Sequence, residues 1–263
     1  MGLINNILQH PLTKGMDIDA PETTCLRKQI IQEKPLLKNI YDEWYSTVCD
    51  HLPPIDGPIL EIGTGAGFLT TYVPKLITSD IMPVAGNDIT CDARHLPFRA
   101  NCLRAIVIID VLHHISNPVA FFKDAERCVK RGGTIILIEP WVSFWSSIIF
   151  DKLHSEPFVP TSSTWSFPQS GPLSGANIAL PWIIFQRDRE IFFQQTNWQI
   201  KLIKLTMPFR YLLSGGVSMR NLLPTWMIRP LIFLENSMSP WVMKQMAMFA
   251  FVVLKQRRAD HKK

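Results

Sequence analysis

Gly63, Gly65 and Gly67 are spaced GxGxG within Leu60-Glu61-Ile62-Gly63-Thr64-Gly65-Ala66-Gly67-Phe68, between a short apolar run and a stretch of helical spacing. Glycines at such a junction allow a tight turn and let the backbone approach a ligand closely. The dinucleotide fingerprint GxGxxG requires glycine at position 68, where Phe68 stands. A pyrophosphate wants a helix N-terminus aimed at it, whereas a cofactor ending in an amino acid needs room for ammonium and carboxylate. The shifted spacing favours the second. Asp80 closes the next apolar run, where a carboxylate accepts hydrogen bonds from both hydroxyls of a ribose, or else caps a turn. Asp92 and Ala93, in Cys91-Asp92-Ala93-Arg94-His95-Leu96-Pro97-Phe98, suit the amino edge of an adenine, or else form an Asx-turn. Asp110, Val111, His113 and His114 follow a β-branched run, at the strand end where open α/β sheets bind ligands.

These groups need a frame that brings strand ends together. Residues 58–62, 76–81, 105–111 and 134–138 are short apolar runs that read as buried strands, with 87–91 a weaker one. Helical spacing covers 68–75, with Phe68, Leu69, Tyr72 and Val73 on one face. It returns after Asn117-Pro118, an N-cap followed by proline, with Val119, Phe122, Ala125 and Val129 inward and a stop at Gly132-Gly133. Alternating strands and helices predict parallel βαβ units and an α/β doubly wound sheet with helices on both faces. A helix near 182–196 and strands near 198–206 and 246–255 complete the pattern. Residues 1–56 read as an N-terminal helical cap on a domain spanning 57–263. Two inserts, 141–181 and 207–240, interrupt that domain. The first is irregular and holds five prolines (Pro157, Pro160, Pro168, Pro172, Pro181).

The motifs EIGTGAG, DARHLPF, DVLHHI and GGTIILIEP, in this order, resemble those of the class I S-adenosylmethionine (SAM)-dependent methyltransferases. The resemblance covers roughly residues 59–140 well and extends weakly through the last helix and strands. It implies a Rossmann-like sheet in the order 3-2-1-4-5-7-6, closed by an antiparallel hairpin, and S-adenosyl-L-methionine as cofactor. By the same resemblance Glu61, Gly63, Thr64, Gly65 and Gly67 hold the methionine portion, and Asp80 the ribose with Ile81 against the adenine. Asp92 and Ala93 read the adenine edge, and Asp110 and Val111 line the sulfonium pocket. Methyl transfer from a sulfonium mainly requires alignment of donor and acceptor, and no spacing of ligands asks for a metal. A hydroxyl acceptor benefits from a base, for which His113 and His114 are the candidates, with His154 and Glu156 in the first insert behind them.

Composition bounds the alternatives. The chain has 263 residues, 47% hydrophobic and 19% charged, with net charge +5. A disordered chain is thereby excluded. The longest apolar runs fall short of the ~20 residues of a membrane span, and no secretory signal opens the chain, so a cytoplasmic protein is expected. Asn6 stands where a myristoylation site wants Ser or Thr. The five cysteines form no CxxC pair and read as reduced, mostly buried thiols. Aromatic and basic residues crowd both inserts, among them Phe144, Trp165, Arg210, Trp226, Arg229 and Phe233. They fit a small-molecule or lipid-like acceptor, with contact at the inner membrane surface, or a cap packed on its own core. The basic tail 255–263 suits anionic lipid or simple solvation. No nucleic-acid-binding module is appended. A non-catalytic SAM-fold binding or membrane-associated protein is the alternative, and a nicotinamide oxidoreductase is disfavoured by Phe68.

Overall fold

A computed structural model describes residues 9–17, 19–154, 156–168, 171, 173 and 175–257. The start of the chain around Asn6, Pro172 and the tail from 258 onward lie outside the described residues. Two helices come first, α1 (Pro21–Glu33) and α2 (Pro35–Asp50), each opening on proline, whose missing N–H is no loss in a first turn. α2 buries Leu36, Leu37, Ile40, Trp44, Tyr45 and Val48, one face at helical spacing.

The strands and helices that follow are β1 (Ile59–Ile62), β2 (Leu76–Asp80), β3 (Ile89–Thr90), β4 (Leu103–Ile109), α3 (Pro118–Cys128), β5 (Val129–Pro140) and α4 (Phe144–Leu153). Then come α5 (Arg189–Gln195), β6 (Trp198–Thr206), α6 (Arg210–Ser214), α7 (Ile228–Asn236), α8 (Pro240–Met246) and β7 (Phe249–Gln256). The sheet has seven strands in the order β3-β2-β1-β4-β5-β7-β6, as the resemblance implies. β1 to β5 pair in parallel, and β7 runs antiparallel between β5 and β6. Alternate residues of the central strands feed two cores. Ile106, Ile108, Ile135 and Leu137 pack toward α3, whereas Ala105, Val107, Ile136 and Ile138 pack toward α2. Continuous apolar strands are thus explained by cover on both faces. Asn117 Oδ1 accepts from Ala120 N at 3.1 Å, the cap expected at α3.

Four local expectations change. The stretch 68–75 forms only a single 3-10 turn, Leu69–Thr71, because Pro74 and Lys75, the latter at φ +61°, end it at once. Gly132-Gly133 does not stop α3, which ends at Cys128; the pair lies inside β5, where Gly133 must leave space for the Arg104 carbonyl. The helix near 182–196 is broken, from Leu180–Trp182 through a wide π-turn at Ile183–Arg187 to α5. The first insert is not wholly irregular, since Ser143 and Ser146 cap α4 reciprocally. The second insert is anchored by Arg210, buried on α6, which binds Glu235 of α7 and Glu43 of α2. Among the described residues no helix is long and apolar enough to cross a membrane.

Candidate active site

The glycine turn connects β1 to the 3-10 turn and is fixed from several sides. Gly63 and Gly65 take φ of +67° and +47°, left-handed conformations that favour glycine. A Cβ on Gly63 would run into the side chain of Val111, and one on Gly67 would lie 2.9 Å from both the Thr64 carbonyl and the Tyr45 hydroxyl. Thr64 N donates to the Ser79 carbonyl at 2.9 Å, tying the turn to β2. The Tyr45 hydroxyl on α2 accepts from Phe68 N at 3.0 Å. Glu61 lies beneath, accepting from the Thr64 hydroxyl at 3.0 Å. Burial pushes its carboxyl up to about 7, against the pull of that bond.

Asp80 ends β2 facing the turn. Its Oδ2 accepts from Gly65 N at 3.1 Å and its Oδ1 from Met82 N at 3.0 Å. The carboxylate keeps a lone pair for a further donor, such as a ribose hydroxyl. Burial raises this carboxyl, and the backbone donors oppose the rise. Asp92 accepts from Arg94 N at 2.8 Å, the Asx-turn alternative, and its carboxylate also binds the Arg94 guanidinium through Nε and Nη2, at 2.9 and 2.6 Å to Oδ2. That guanidinium holds Asp92 below the usual carboxylate range. Asp110 follows β4 at φ +60°, an uncommon conformation for a residue with a side chain. Its enclosure in the cavity wall raises its carboxyl to about 7.

One cavity collects these groups. Glu61, Gly63, Thr64, Gly65, Gly67, Asp80, Ile81, Asp92, Ala93, Asp110 and Val111 all line it, and so does His114. Thr24 and Arg27 of α1 and Tyr41 and Tyr45 of α2 close one side, and Leu173 and Val217 reach it from the two inserts. The residues from α1 and α2 carry no glycine or charge pattern of their own, and only the packing of α2 beneath β1 reveals them.

His113 and His114 part company. His113 is buried and absent from the cavity wall, its Nδ1 2.8 Å from Glu139 Oε2 and its Nε2 3.4 Å from Glu156 Oε2. Burial opposes a charge on this ring, but the two carboxylates outweigh it and raise its pKa. His114 faces the cavity with its Nδ1 3.3 Å from the Gly175 carbonyl. Burial first, and then the neighbouring His113, lower it to about 4, a poor value for a general base. Glu139 also accepts from Val111 N and Leu112 N at 2.9 and 2.7 Å, so it shapes the whole turn after β4. In the sequence Glu139 is only the last residue before a proline, and nothing there ties it to His113.

Residues 60–137 match the family model described as a methyltransferase domain. That segment of the chain is similar to a methyltransferase domain, and the match does not extend to the rest of the chain. No match is found among curated proteins. Among solved structures, the chain is similar to the geranyl diphosphate C-methyltransferase of Streptomyces coelicolor A3(2), at 12% identity and a TM-score of 0.52, over 95% of this chain and 91% of that one. That protein was solved with Mg2+, geranyl diphosphate and S-adenosyl-L-homocysteine. A SAM-dependent methyltransferase of Thermotoga maritima is similar at 14% identity and a TM-score of 0.51, over 87% of this chain and 99% of that one. These two likenesses are of fold. The matched methyltransferase segment runs from β1 into β5 and contains the glycine turn, Asp80, Asp92, Asp110 and both histidines. The helices α1 and α2 and the two inserts lie outside it.

Proposed function

We propose that the chain transfers the methyl group of S-adenosyl-L-methionine to a small lipid-like acceptor at a membrane surface. The observation that carries this reading is the convergence of the glycine turn, Asp80, Asp92 and Asp110 on one cavity. The fit of the cofactor rests on the single cavity that the glycine turn shares with Asp80 and Asp92, and on the Asp80 carboxylate that faces Gly65 N in it. Glu61 and residues 63–67 would hold the amino-acid end, Asp80 the ribose, Ile81 and Ala93 the faces of the adenine, and Asp110 and Val111 the sulfonium. When bound, the cofactor supplies an electrophilic methyl group. The protein aligns the acceptor with it and excludes water, which contributes several kcal/mol to lowering the barrier. Asp92 would reach the adenine amino group by sharing an oxygen that Arg94 already binds. The segment 9–56 would cap the cofactor side, and the inserts 141–181 and 207–240 would cover the acceptor side. His114, which lines the cavity, would be the histidine to touch an acceptor, and His113 would hold the turn.

The lipid-like acceptor and the membrane surface are supported by the outer face of the inserts. Trp226, Phe233, Trp241 and Phe144 are 75%, 75%, 72% and 73% exposed. Between 207 and 248 the only acidic residue is Glu235, which is buried, whereas Arg220, Arg229 and Lys244 are exposed. Exposed aromatic side chains among cations, with no exposed acidic residue between 207 and 248, suit an interface with anionic headgroups. The test has two parts. Calorimetry with S-adenosyl-L-homocysteine should show binding in the micromolar range, and heat-free titration would end the cofactor assignment. Transfer of labelled methyl should favour a total lipid extract over water-soluble sugars and phenols. Cofactor binding without turnover on any of them would leave a non-catalytic binding protein.

A further inference from the structure

His113, His114 and Glu156 form a second cluster at the edge of the cavity, brought together from the turn after β4 and the insert after β5. Leu112–His114 is a 3-10 turn that sets the two imidazoles side by side, ring centroids 4.2 Å apart. Glu156 arrives just beyond α4, and the segment behind it is clamped to the same turn by Asn177. That residue donates its N–H to the His113 carbonyl at 2.9 Å, while its side chain bonds both the N–H and the carbonyl of Val159, at 3.0 and 3.2 Å.

The hydrogen bonds fix which ring nitrogens are free. A carbonyl oxygen only accepts, so His114 must carry its proton on Nδ1, facing Gly175, and present the Nε2 lone pair. Glu139 likewise takes the Nδ1 proton of His113, leaving Nε2 for Glu156. Both Nε2 atoms then face one carboxylate oxygen, Glu156 Oε2, at 3.4 and 3.9 Å. A proton on His113 Nε2 joins that ring to Glu156, while the His114 Nε2 lone pair still faces the same carboxylate oxygen. One metal ion serves all three.

We infer that His113, His114 and Glu156 form a binding site for a transition-metal dication of the zinc type. The ligand atoms lie within 4.8 Å of one another. Tetrahedral zinc with bonds of about 2.0–2.1 Å needs ligand separations of about 3.3 Å, which the His113–Glu156 pair already meets and the His114–Glu156 pair approaches. Two imidazoles and one carboxylate select zinc, manganese or iron over magnesium, which takes oxygen ligands, and they leave coordination positions open. Glu139 and the Gly175 carbonyl supply the outer hydrogen bonds that orient the two rings. His114 is the one ligand of the three that lines the cavity, and an open position on its side would face an acceptor. There the ion would bind an acceptor oxygen and ease loss of its proton. That role rests on the methyl-transfer reading; the existence of the site does not.

The test uses the whole chain, stripped with a chelator and free of cofactor, titrated with Co2+ as a coloured probe. One equivalent should develop the intense visible bands of a four- or five-coordinate ion, and Zn2+ should abolish them. Glu156→Gln and His114→Ala should each remove the bands, Glu139→Gln should weaken binding by roughly 10–100-fold, and His95→Ala, remote and exposed, should change nothing. Thermal unfolding and S-adenosyl-L-homocysteine affinity monitor folding. If a histidine or Glu139 variant fails to fold, Glu156→Gln decides, its side chain being 25% exposed. Only the pale spectrum of the aqueous ion, or bands that persist in Glu156→Gln, overturns the site. Failure of the cofactor reading would appear instead as lost homocysteine-adduct binding with the cobalt bands intact.

Discussion

The methyl groups of Val111 occupy the space that a Cβ on Gly63 would need, so the turn after β1 and the turn after β4 touch across the floor of the cavity. The two parallel strands β1 and β4 are neighbours, and their carboxyl ends stay this close only while position 63 is bare.

Gly63→Ala should therefore fail twice, through the left-handed φ and through the collision. A loss of about 1–3 kcal/mol in stability is expected. The affinity for S-adenosyl-L-homocysteine should fall at least ~10-fold as Val111 is displaced. Denaturant unfolding and calorimetry on the same sample check both; an unchanged affinity would remove the turn from the cofactor site.

Asp80→Ala should weaken the same ligand by roughly 10–100-fold, the worth of about 1.5–3 kcal/mol for hydrogen bonds to a charged group. An analogue lacking both ribose hydroxyls should bind the variant and the parent alike. If it still discriminates between them, Asp80 does not contact the ribose.

Glu61 makes stability depend on pH with a definite sign. Its carboxyl ionises near 4.5 in an unfolded chain and near 7 when folded. Between these values the folded state holds the extra proton, so this group's contribution to stability falls as pH rises and levels off above 7. Glu61→Gln should remove that slope, gaining on the parent by on the order of 2 kcal/mol from pH 5 to pH 8. Urea midpoints at the two pH values measure it, and a pH-independent difference would contradict the assignment.

Arg210 anchors the second insert between Glu235 and Glu43. Arg210→Ala leaves Glu235 buried without its cation and should cost about 3–5 kcal/mol. Adding Glu235→Gln should recover part of this loss, since no uncompensated charge then remains. Chemical denaturation of the single and double variants is the measurement, and strict additivity would count against the pairing.

Trp226→Ser, Phe233→Ser and Trp241→Ser combined should abolish co-sedimentation with vesicles of phosphatidylcholine and phosphatidylglycerol. Because these side chains are exposed, stability should stay within about 0.5 kcal/mol per site. Binding by the parent should weaken with added salt, as the cations Arg220, Arg229 and Lys244 are screened. Parental protein that ignores the vesicles would remove the membrane from the proposed function.

The glycine turn and the carboxylates that share its cavity were legible because their chemistry is local. A glycine turn, and a carboxylate at a strand end, are written in runs of a few residues, and alternating apolar segments imply a doubly wound sheet, whose strand order came from the resemblance alone. The local breaks were not legible. Whether 68–75 becomes a helix depends on how soon Pro74 interrupts it, and whether Gly132-Gly133 caps a helix or enters a strand depends on β4 lying alongside. The histidine pair shows the same limit. His113 and His114 look equivalent in the chain, yet one faces the cavity and the other is buried between two glutamates.

The sequence by itself determined most of the strands and the glycine turn, since backbone conformation at glycine, the reach of a short Asp side chain and the two-faced burial of a strand are properties of neighbouring residues. Only the tertiary structure decided that Glu139 and Glu156, distant in the chain, both close on His113. It likewise decided that α2 supplies Tyr45 to the glycine turn and that Trp226, Phe233 and Trp241 stay outside the core. Contacts between residues far apart in sequence are set by which faces the folded layers bury, and no short run of residues carries that information.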